Sequence, residues 1–396
     1  MRLLVVSSEV PVPATHGGRV DQWSRYRLFR QDGVAMMLVS WFVDGADAPT
    51  AADEAALAGV FDDVHLFPIR RDAAAMLRRL ADLPHHSPHV STRILRGAAH
   101  RDVLAAAKRF EPDAVWLDGL HGAVTARALA AALGVPLFYR SHNVEFLYRR
   151  TQAQRATRLR DRIAWRLAGF RLEALEVAVQ RKANLVFDIS ADDLAYWRSR
   201  GITHNRWLPT LLAAPPSTSG PKTWDLVYLG NLNTPNNLEG LRWFLHEVLP
   251  RLRDARPDIT LRIAGSQPDA RFRQEAAASG IDLRENPPDA HAVLAEGRVL
   301  FNPVLAGSGL NVKSVEMLFH DAPVVSTPAG VRGLPDDIRA EFHIAAAPED
   351  FARRCLEQLA RPFVITEARR HARLRLGPEG IGAAIDAMRT SLRAGR

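Results

Sequence analysis

The stretch Phe301-Asn-Pro-Val-Leu-Ala-Gly-Ser-Gly-Leu-Asn-Val-Lys-Ser-Val-Glu316 combines residue types that handle an anionic ligand. The apolar run 299–302 reads as a buried strand that breaks into a glycine-containing loop, and the loop opens a helix expected to begin near Leu310. A helix N-terminus presents unpaired N–H groups and the positive end of the helix dipole, so it favours a phosphate or another anion. Gly309 and Leu310 offer backbone N–H groups there, and Lys313 falls in the first turn, where a cation opposes the dipole unless an anion binds nearby. Glu316 follows on the same side, one turn later. A second strand, 323–326, ends in Thr327-Pro-Ala-Gly330, a polar loop at a strand's carboxyl end, where ligands of open α/β sheets sit. The plainer alternative is a strand–loop–helix with a glycine turn and a surface lysine.

Three other constellations carry chemistry. Gly17 and Gly18 follow the first apolar strand and precede a helix expected from Val20; adjacent glycines let backbone approach a ligand and offer N–H groups to phosphate, although such pairs occur in many α/β folds. Arg140-Ser-His-Asn-Val-Glu145 directly follows the strand 136–139, so His142 stands at a strand's carboxyl end, where it faces a ligand cleft more readily than a core, with Asn143 and Glu145 beside it. His121, in Asp118-Gly-Leu-His121, is the backup. Tyr228-Leu-Gly-Asn-Leu-Asn-Thr-Pro-Asn-Asn237 brings Gly230, Asn231 and Asn236 into the loop after a strand, where an asparagine capping a helix from Leu238 accounts for it equally well. His85-His-Ser-Pro-His89 suits a solvated loop better than a coordination sphere, since no cysteine or carboxylate completes it. No Asp-x-Asp stands at a strand end, so no metal and no other cofactor is expected.

The elements that must position these residues alternate. Apolar strands at 3–7, 35–41, 63–67, 114–117, 136–139 and 185–189 are separated by helical stretches at 20–31, 73–83, 91–110, 123–133, 146–182 and 191–200. A Pro/Ser-rich segment, 208–221, interrupts the series, which resumes with strands at 225–230, 260–264, 299–302 and 323–326 and helices at 238–255 and 269–279. Alternation of this kind implies parallel, doubly wound sheets. With 396 residues and 43.8 kDa, the chain fits two such domains. The expected division is 1–207 and 208–378, followed by a final helical segment, 379–396.

Composition narrows the partners. The chain is 47% hydrophobic, which excludes a disordered protein. Its single cysteine, Cys355, allows no internal disulfide and suits a reducing, cytoplasmic setting. Met1-Arg-Leu-Leu-Val-Val reads as a strand and not a signal peptide, and no apolar run reaches the ~18–20 residues of a membrane span. The net charge of +8, mostly from arginine, points to an anionic partner, although high Arg and Ala also track a GC-rich genome. No zinc-finger spacing, RNP-like motif or basic heptad region supports nucleic-acid binding. The Arg-rich segments 70–79 and 149–171 are amphipathic enough for peripheral contact with an anionic membrane, at the inner membrane face; a solvated helical face is the alternative.

The segment 303–333 resembles the donor-binding segment of the retaining GT-B glycosyltransferases of the large family four, and the likeness extends more loosely over nearly the whole chain. The resemblance implies facing Rossmann-like domains with a cleft between them and a last helix, within 379–396, that crosses back onto the first domain. It implies that Glu316 holds the ribose of a nucleotide-diphosphate sugar, and that Ser308 stands where the family carries a first glutamate. Gly17 and Gly18 would border the diphosphate and the acceptor, His142 would reach the transferred sugar, and Asn143 and Glu145 would shape the acceptor side. Thr327 would close the donor site. Asn231 and Asn236 occupy positions where many members place a diphosphate-clamping Arg and Lys; a subset of the family shares the Gly-x-x-x-x-Pro-Asn pattern of Gly230 to Asn236, and Lys313 is the substitute cation. Backbone near 283–289 would meet the base. The function implied is retaining transfer to a glycan or lipid-linked hydroxyl acceptor in bacterial exopolysaccharide, O-antigen or glycolipid synthesis. A sugar-nucleotide epimerase of the same fold, or a non-catalytic nucleotide-sugar-binding subunit, are the rival readings.

Overall fold

The computed structural model describes residues 1–14, 17–43, 45, 47–212, 221–307 and 309–394. They form two compact units: Met1–Ala213 together with Glu379–Arg396, and Ala214–Pro378. In the first unit, β1 (Arg2–Ser7), β2 (Ala35–Val43), β3 (Asp63–Ile69), β4 (Ala114–Asp118), β5 (Leu137–Ser141), β6 (Leu185–Asp188) and β7 (Asn205–Trp207) make one parallel sheet ordered β3-β2-β1-β4-β5-β6-β7. Its strands are apolar on both faces because helices cover both. Leu4 and Val6 enter one core with Val39, Leu117 and Tyr139; Leu3 and Val5 enter the other with Phe29, Trp116 and Phe187. The helix Gly380–Ala394 completes this second core with Ile381, Ala384, Ile385 and Met388.

In the second unit, β8 (Trp224–Asn231), β9 (Leu261–Ser266), β10 (Asp282–Glu285), β11 (Gly297–Asn302), β12 (Val324–Ser326) and β13 (Phe342–Ile344) form a parallel sheet ordered β10-β9-β8-β11-β12-β13. In each sheet the chain winds outward from its first strand and then returns to that strand's other side. The order therefore reverses between β1 and β4 and between β8 and β11, and loops at the carboxyl ends part there to leave a crevice.

Several elements differ from the sequence reading. β7, β10 and β13 were not expected: each is short, lies at a sheet edge or carries polar residues, and so lacks an apolar run. The helix expected over 91–110 begins only at Gly97, whose φ of +58° breaks the chain after the short turn Pro88–Ser91. The region 146–182 divides into helices Glu145–Arg155, Leu159–Gly169 and Leu172–Lys182. The segment 208–212, read as the start of a linker, still belongs to the first unit, with Leu208 and Leu211 buried in its core; residues 213–220 lie outside the described residues.

Candidate active site

The second unit builds its site where β8 and β11 part. After β11 the chain runs through a loop to the helix Val312–Leu318, which begins two residues later than the sequence suggested and has Asn311 as its N-cap. Gly309 and Leu310 therefore lie in the loop and not in the first helical turn; Gly309 adopts φ +69°, a conformation glycine tolerates without strain. Ser308 lies outside the described residues. Lys313 reaches from the helix across to β8: its Nζ donates to Tyr228 Oη at 3.0 Å and to Asn237 Oδ1 at 2.7 Å, and it lies 5.0 Å from the centre of the Tyr228 ring. Burial pushes the Lys313 ammonium down to about 7, with the nearby Glu316 carboxylate opposing. Burial likewise pushes Glu316 up to about 7 against the pull of Lys313. Neither forms an ion pair among the described residues, and Glu316 makes no hydrogen bond there. The unit thus holds an ammonium with a free N–H beside a carboxylate with free oxygens.

The surrounding backbone is packed too closely for side chains. A Cβ on Gly265 would come 1.8 Å from the Gly230 carbonyl, and one on Gly240 would come 2.4 Å from the Pro303 carbonyl. Glycine at these positions lets β8, β9 and the helix Pro235–Trp243 crowd around the lysine. That helix starts at Pro235 with Thr234 as N-cap, not at Leu238, and this shifts the polar roles by one residue. Asn237 fixes Lys313 and donates from Nδ2 to the Asn231 carbonyl at 2.8 Å, whereas Asn236 makes no side-chain hydrogen bond with a described residue. Asn231 uses its own Oδ1 to accept the Asn233 N–H at 2.8 Å, so it shapes the loop. Thr327 is buried: its hydroxyl donates to the Val304 carbonyl and accepts the Gly330 N–H, holding the loop after β12 against the loop after β11. Its side chain is therefore a brace and not a free ligand group. Ser314 works similarly, accepting from Asn302 Nδ2 at 2.9 Å and donating to the Gly330 carbonyl at 2.5 Å.

The first unit gathers charge around Asp118, at the carboxyl end of β4 and in register with Ser7 of β1 and Arg140 of β5. Asp118 Oδ2 accepts from Arg25 at 2.6 Å, Tyr26 at 2.6 Å and Trp116 at 3.1 Å; its Oδ1 lies 2.6 Å from His142 Nε2. Asp21 links Arg25, at 2.5 Å, to Arg140, at 3.2 Å. Burial works against the Asp118 carboxylate, yet Arg25 and the hydrogen bonds of His142 and Tyr26 outweigh it and hold its pKa well below the usual range. A fixed carboxylate makes Nε2 of His142 the donor and leaves Nδ1 for another partner. The His142 side chain is partly exposed.

Its neighbours divide. Glu145 opens the helix Glu145–Arg155, pairs with Arg149 at 3.6 Å and leaves Oε2 without a hydrogen bond; Asn143 contributes its carbonyl to the Ser141 hydroxyl at 3.1 Å. The fully buried Glu176 caps that helix by accepting the N–H groups of Glu145 and Phe146 at 2.9 and 3.1 Å. His121 lies 3.5 Å from Arg149 and against the ring of His89; burial, then Arg93 and Arg149, keep its pKa well below the usual imidazole value. His89 is thus turned toward His121 instead of sharing the fate of His85 and His86. Gly17 and Gly18 are the first two residues of the helix Gly17–Gln31, not a loop before it, and so keep N–H groups free of intrahelical partners. Among the described residues no group of His, Cys, Asp and Glu side chains could share a metal ion.

Sequence reasoning singled out His142, Lys313 and Glu316 but not their partners. Asp118, Arg25 and Asp21 are scattered along the chain and meet only through sheet register. Tyr228 reads as one more strand aromatic. Asn237 was within reach of the sequence, since Thr-Pro commonly opens a helix and would have set the correct start.

Residues 223–361 match the family model described as Glycosyl transferases group 1. An uncharacterized 44.6 kDa protein in the cps region of Klebsiella pneumoniae is 24% identical over 345 residues, covering 84% of each chain. Among solved structures, Anabaena Alr3699/HepE in complex with UDP aligns with a TM-score of 0.64 at 15% identity, over 99% of this chain and 100% of that one. Sucrose-phosphate synthase from Thermosynechococcus elongatus aligns with a TM-score of 0.66 at 13% identity over the whole of both. The two parallel-sheet Rossmann-like units have the GT-B fold, and the match to the group 1 glycosyl transferase model lies within the second of them.

Proposed function

We propose that this chain transfers a sugar from a nucleotide-diphosphate sugar to a hydroxyl of a glycan or lipid-linked acceptor, with retention at the anomeric carbon, in bacterial surface-polysaccharide or glycolipid synthesis. The carrying observation is Lys313, an ammonium near Glu316 but not in ion-pair contact with it, braced by Tyr228 and Asn237 where the strand order of the matched segment's sheet reverses. HepE was solved with UDP, and the Klebsiella relative is encoded in a cps region; both favour a nucleotide-sugar substrate and a polysaccharide product.

The chemistry follows from charge. Breaking the anomeric C–O bond leaves positive charge on the sugar ring and negative charge on the departing nucleoside diphosphate. Lys313 is assigned to that diphosphate, where a fixed donor acts most strongly in the transition state. Glu316, with both oxygens free, is assigned to the ribose hydroxyls, which donate to it. His142, anchored through Nε2 to Asp118, is assigned to orient the sugar through Nδ1. In the retaining step the acceptor hydroxyl attacks the face the leaving group vacates and passes its proton to a phosphate oxygen. The Gly17 and Gly18 N–H groups are assigned to the diphosphate, and Glu145, paired with Arg149, to shaping the acceptor side.

One observation favours a second reading within the same class. An imidazole whose far nitrogen is held by a buried carboxylate is arranged as an oriented general base. If His142 takes the acceptor's proton on Nδ1, attack comes from the opposite face and the anomer inverts. Both readings are tested together by offering the protein UDP-, GDP-, ADP- and dTDP-sugars with glycan and polyprenyl-phosphate-linked acceptors, measuring nucleoside diphosphate release and recording the product's anomeric proton coupling. Acceptor-dependent release with the donor's configuration kept supports retention. An inverted product selects the His142-base reading, and no release from any pair overturns both.

A further inference from the structure

The helices Glu145–Arg155, Leu159–Gly169 and Leu172–Lys182 enclose a cavity of about 640 Å³ that the sugar-transfer assignments do not use. Its wall carries Arg149, Arg150, Arg162 and Arg166 around Trp165, with Glu173 as the opposing charge. Glu173 already faces Arg200 at 3.7 Å, and Arg149 has Glu145 at 3.6 Å. Arg162 contacts only the Ala156 carbonyl, at 3.3 Å, while Arg150 and Arg166 have no hydrogen bond or ion pair with any described residue. Arg149 Nε is buried without a hydrogen-bond partner, and its guanidinium lies 5.3 Å from the Trp165 ring centre. Uncompensated guanidinium groups lining a concave space favour a phosphate, which their planar forks bind bidentately.

A second observation adjoins the first. Leu159, Ile163 and Leu167 are 69%, 48% and 45% exposed, and Phe170 just past the helix is 44% exposed. Successive helical residues are separated by roughly 100°, so the three aliphatic side chains form one bare stripe, and Arg162, Trp165, Arg166 and Gly169 form the stripe next to it. An apolar face bordered by arginine is the pattern of a helix lying in the interface of an anionic bilayer.

We infer that this cavity and the adjoining bare stripe bind a membrane-embedded lipid phosphate, the phosphate on Arg150, Arg162 and Arg166 and the hydrocarbon against Leu159, Ile163, Leu167 and Phe170. The inference stands apart from the sugar-transfer reading, because lipid binding requires no sugar donor. The helix Ala73–Asp82 also exposes Met76, Leu77 and Leu80; beside it Arg96 is paired with the Asp82 carboxylate, and Arg79 and Arg78 donate to the Arg70 and Ala74 carbonyls. It serves as the internal comparison.

The test is cosedimentation of the full chain with phosphatidylcholine vesicles, with or without dicetyl phosphate. Wild type should bind only the vesicles carrying dicetyl phosphate. Arg150→Ser/Arg166→Ser should weaken that binding by roughly tenfold or more, given the contribution of each basic residue at an anionic surface. Ile163→Ser/Leu167→Ser should weaken it as well, and Leu77→Ser/Leu80→Ser should bind as wild type. All of these aliphatic residues are exposed, so an unchanged thermal midpoint verifies folding. The inference is overturned by equal binding to both vesicles, by no binding at all, by wild-type binding of the Arg150/Arg166 variant, or by a loss confined to the Leu77/Leu80 variant.

Discussion

Burial sets the chemistry of Lys313 and Glu316, and each charge opposes the other's shift. Burial pushes the ammonium down and the carboxyl up to about 7, so both titrate near neutrality. On the proposed assignment, protonated Lys313 attracts the diphosphate, and that attraction is lost as pH rises through about 7. On the same assignment, ionised Glu316 accepts the ribose hydroxyls, and that capacity is lost as pH falls through about 7. We therefore expect a narrow bell in kcat/KM for the donor, measured across the neutral range. Lys313→Arg should remove the alkaline limb, since guanidinium stays charged, and Glu316→Gln should remove the acid limb. A flat profile in wild type would disconnect the pair from donor capture. Lys313→Ala should cost roughly 2–4 kcal/mol of transition-state stabilisation, read as a fall in turnover at saturating donor. Wild-type turnover in that variant would remove Lys313 from the leaving group. These residues were legible in the sequence because a cation in a helix's first turn is anomalous without an anion. Asp118 was not, because a lone aspartate at a strand end acquires its meaning only when Arg25, Tyr26, Trp116 and His142 converge on it.

The helix Pro235–Trp243 illustrates how a small boundary error misassigns a ligand. A start at Leu238 leaves Asn236 and Asn237 in a loop with equal claims; a start at Pro235 places them about 100° apart on a helix, and only Asn237 reaches Lys313. The interior strands were readable because burial on both faces demands unbroken apolar runs, whereas β7, β10 and β13, short and at or near sheet margins, need no such run. Gly240 lets this helix approach the loop after β11, since an added Cβ would stand 2.4 Å from the Pro303 carbonyl. Gly240→Ala should therefore push the helix and its Asn237 away from Lys313. We expect a loss of about 1–3 kcal/mol in denaturant unfolding, typical of overpacking, together with weaker nucleotide binding by calorimetry. Unchanged binding in a destabilised variant would show that the position of Asn237 does not govern the lysine.

The two units divide the chemistry between them: the first holds His142 on a charge-neutralised cluster, the second an ammonium beside a carboxylate. Among the described residues, only the Glu316 carboxylate stands near Lys313, and the ammonium there would repel a divalent cation. Nucleoside diphosphate release should accordingly survive EDTA, and inactivation by the chelator with recovery in Mg²⁺ or Mn²⁺ would overturn the assignment of Lys313 as the charge on the leaving group. The alternation of strands and helices revealed both Rossmann-like units in the sequence, and the family resemblance the return of the last helix to the first unit; which core layer that helix completes was not legible. The first unit's apolar layer of Phe29, Trp116 and Phe187 is closed by Ile381, Ala384, Ile385 and Met388, which are separated from it by the whole of Ala214–Pro378. During synthesis at ~5–20 residues per second, the first unit must wait on the order of ten seconds or more, its apolar layer incomplete, while the second is made and free to fold. The ribosome thus completes the later unit before the earlier one, and the nascent chain carries a sticky, half-built layer that invites chaperones throughout the interval.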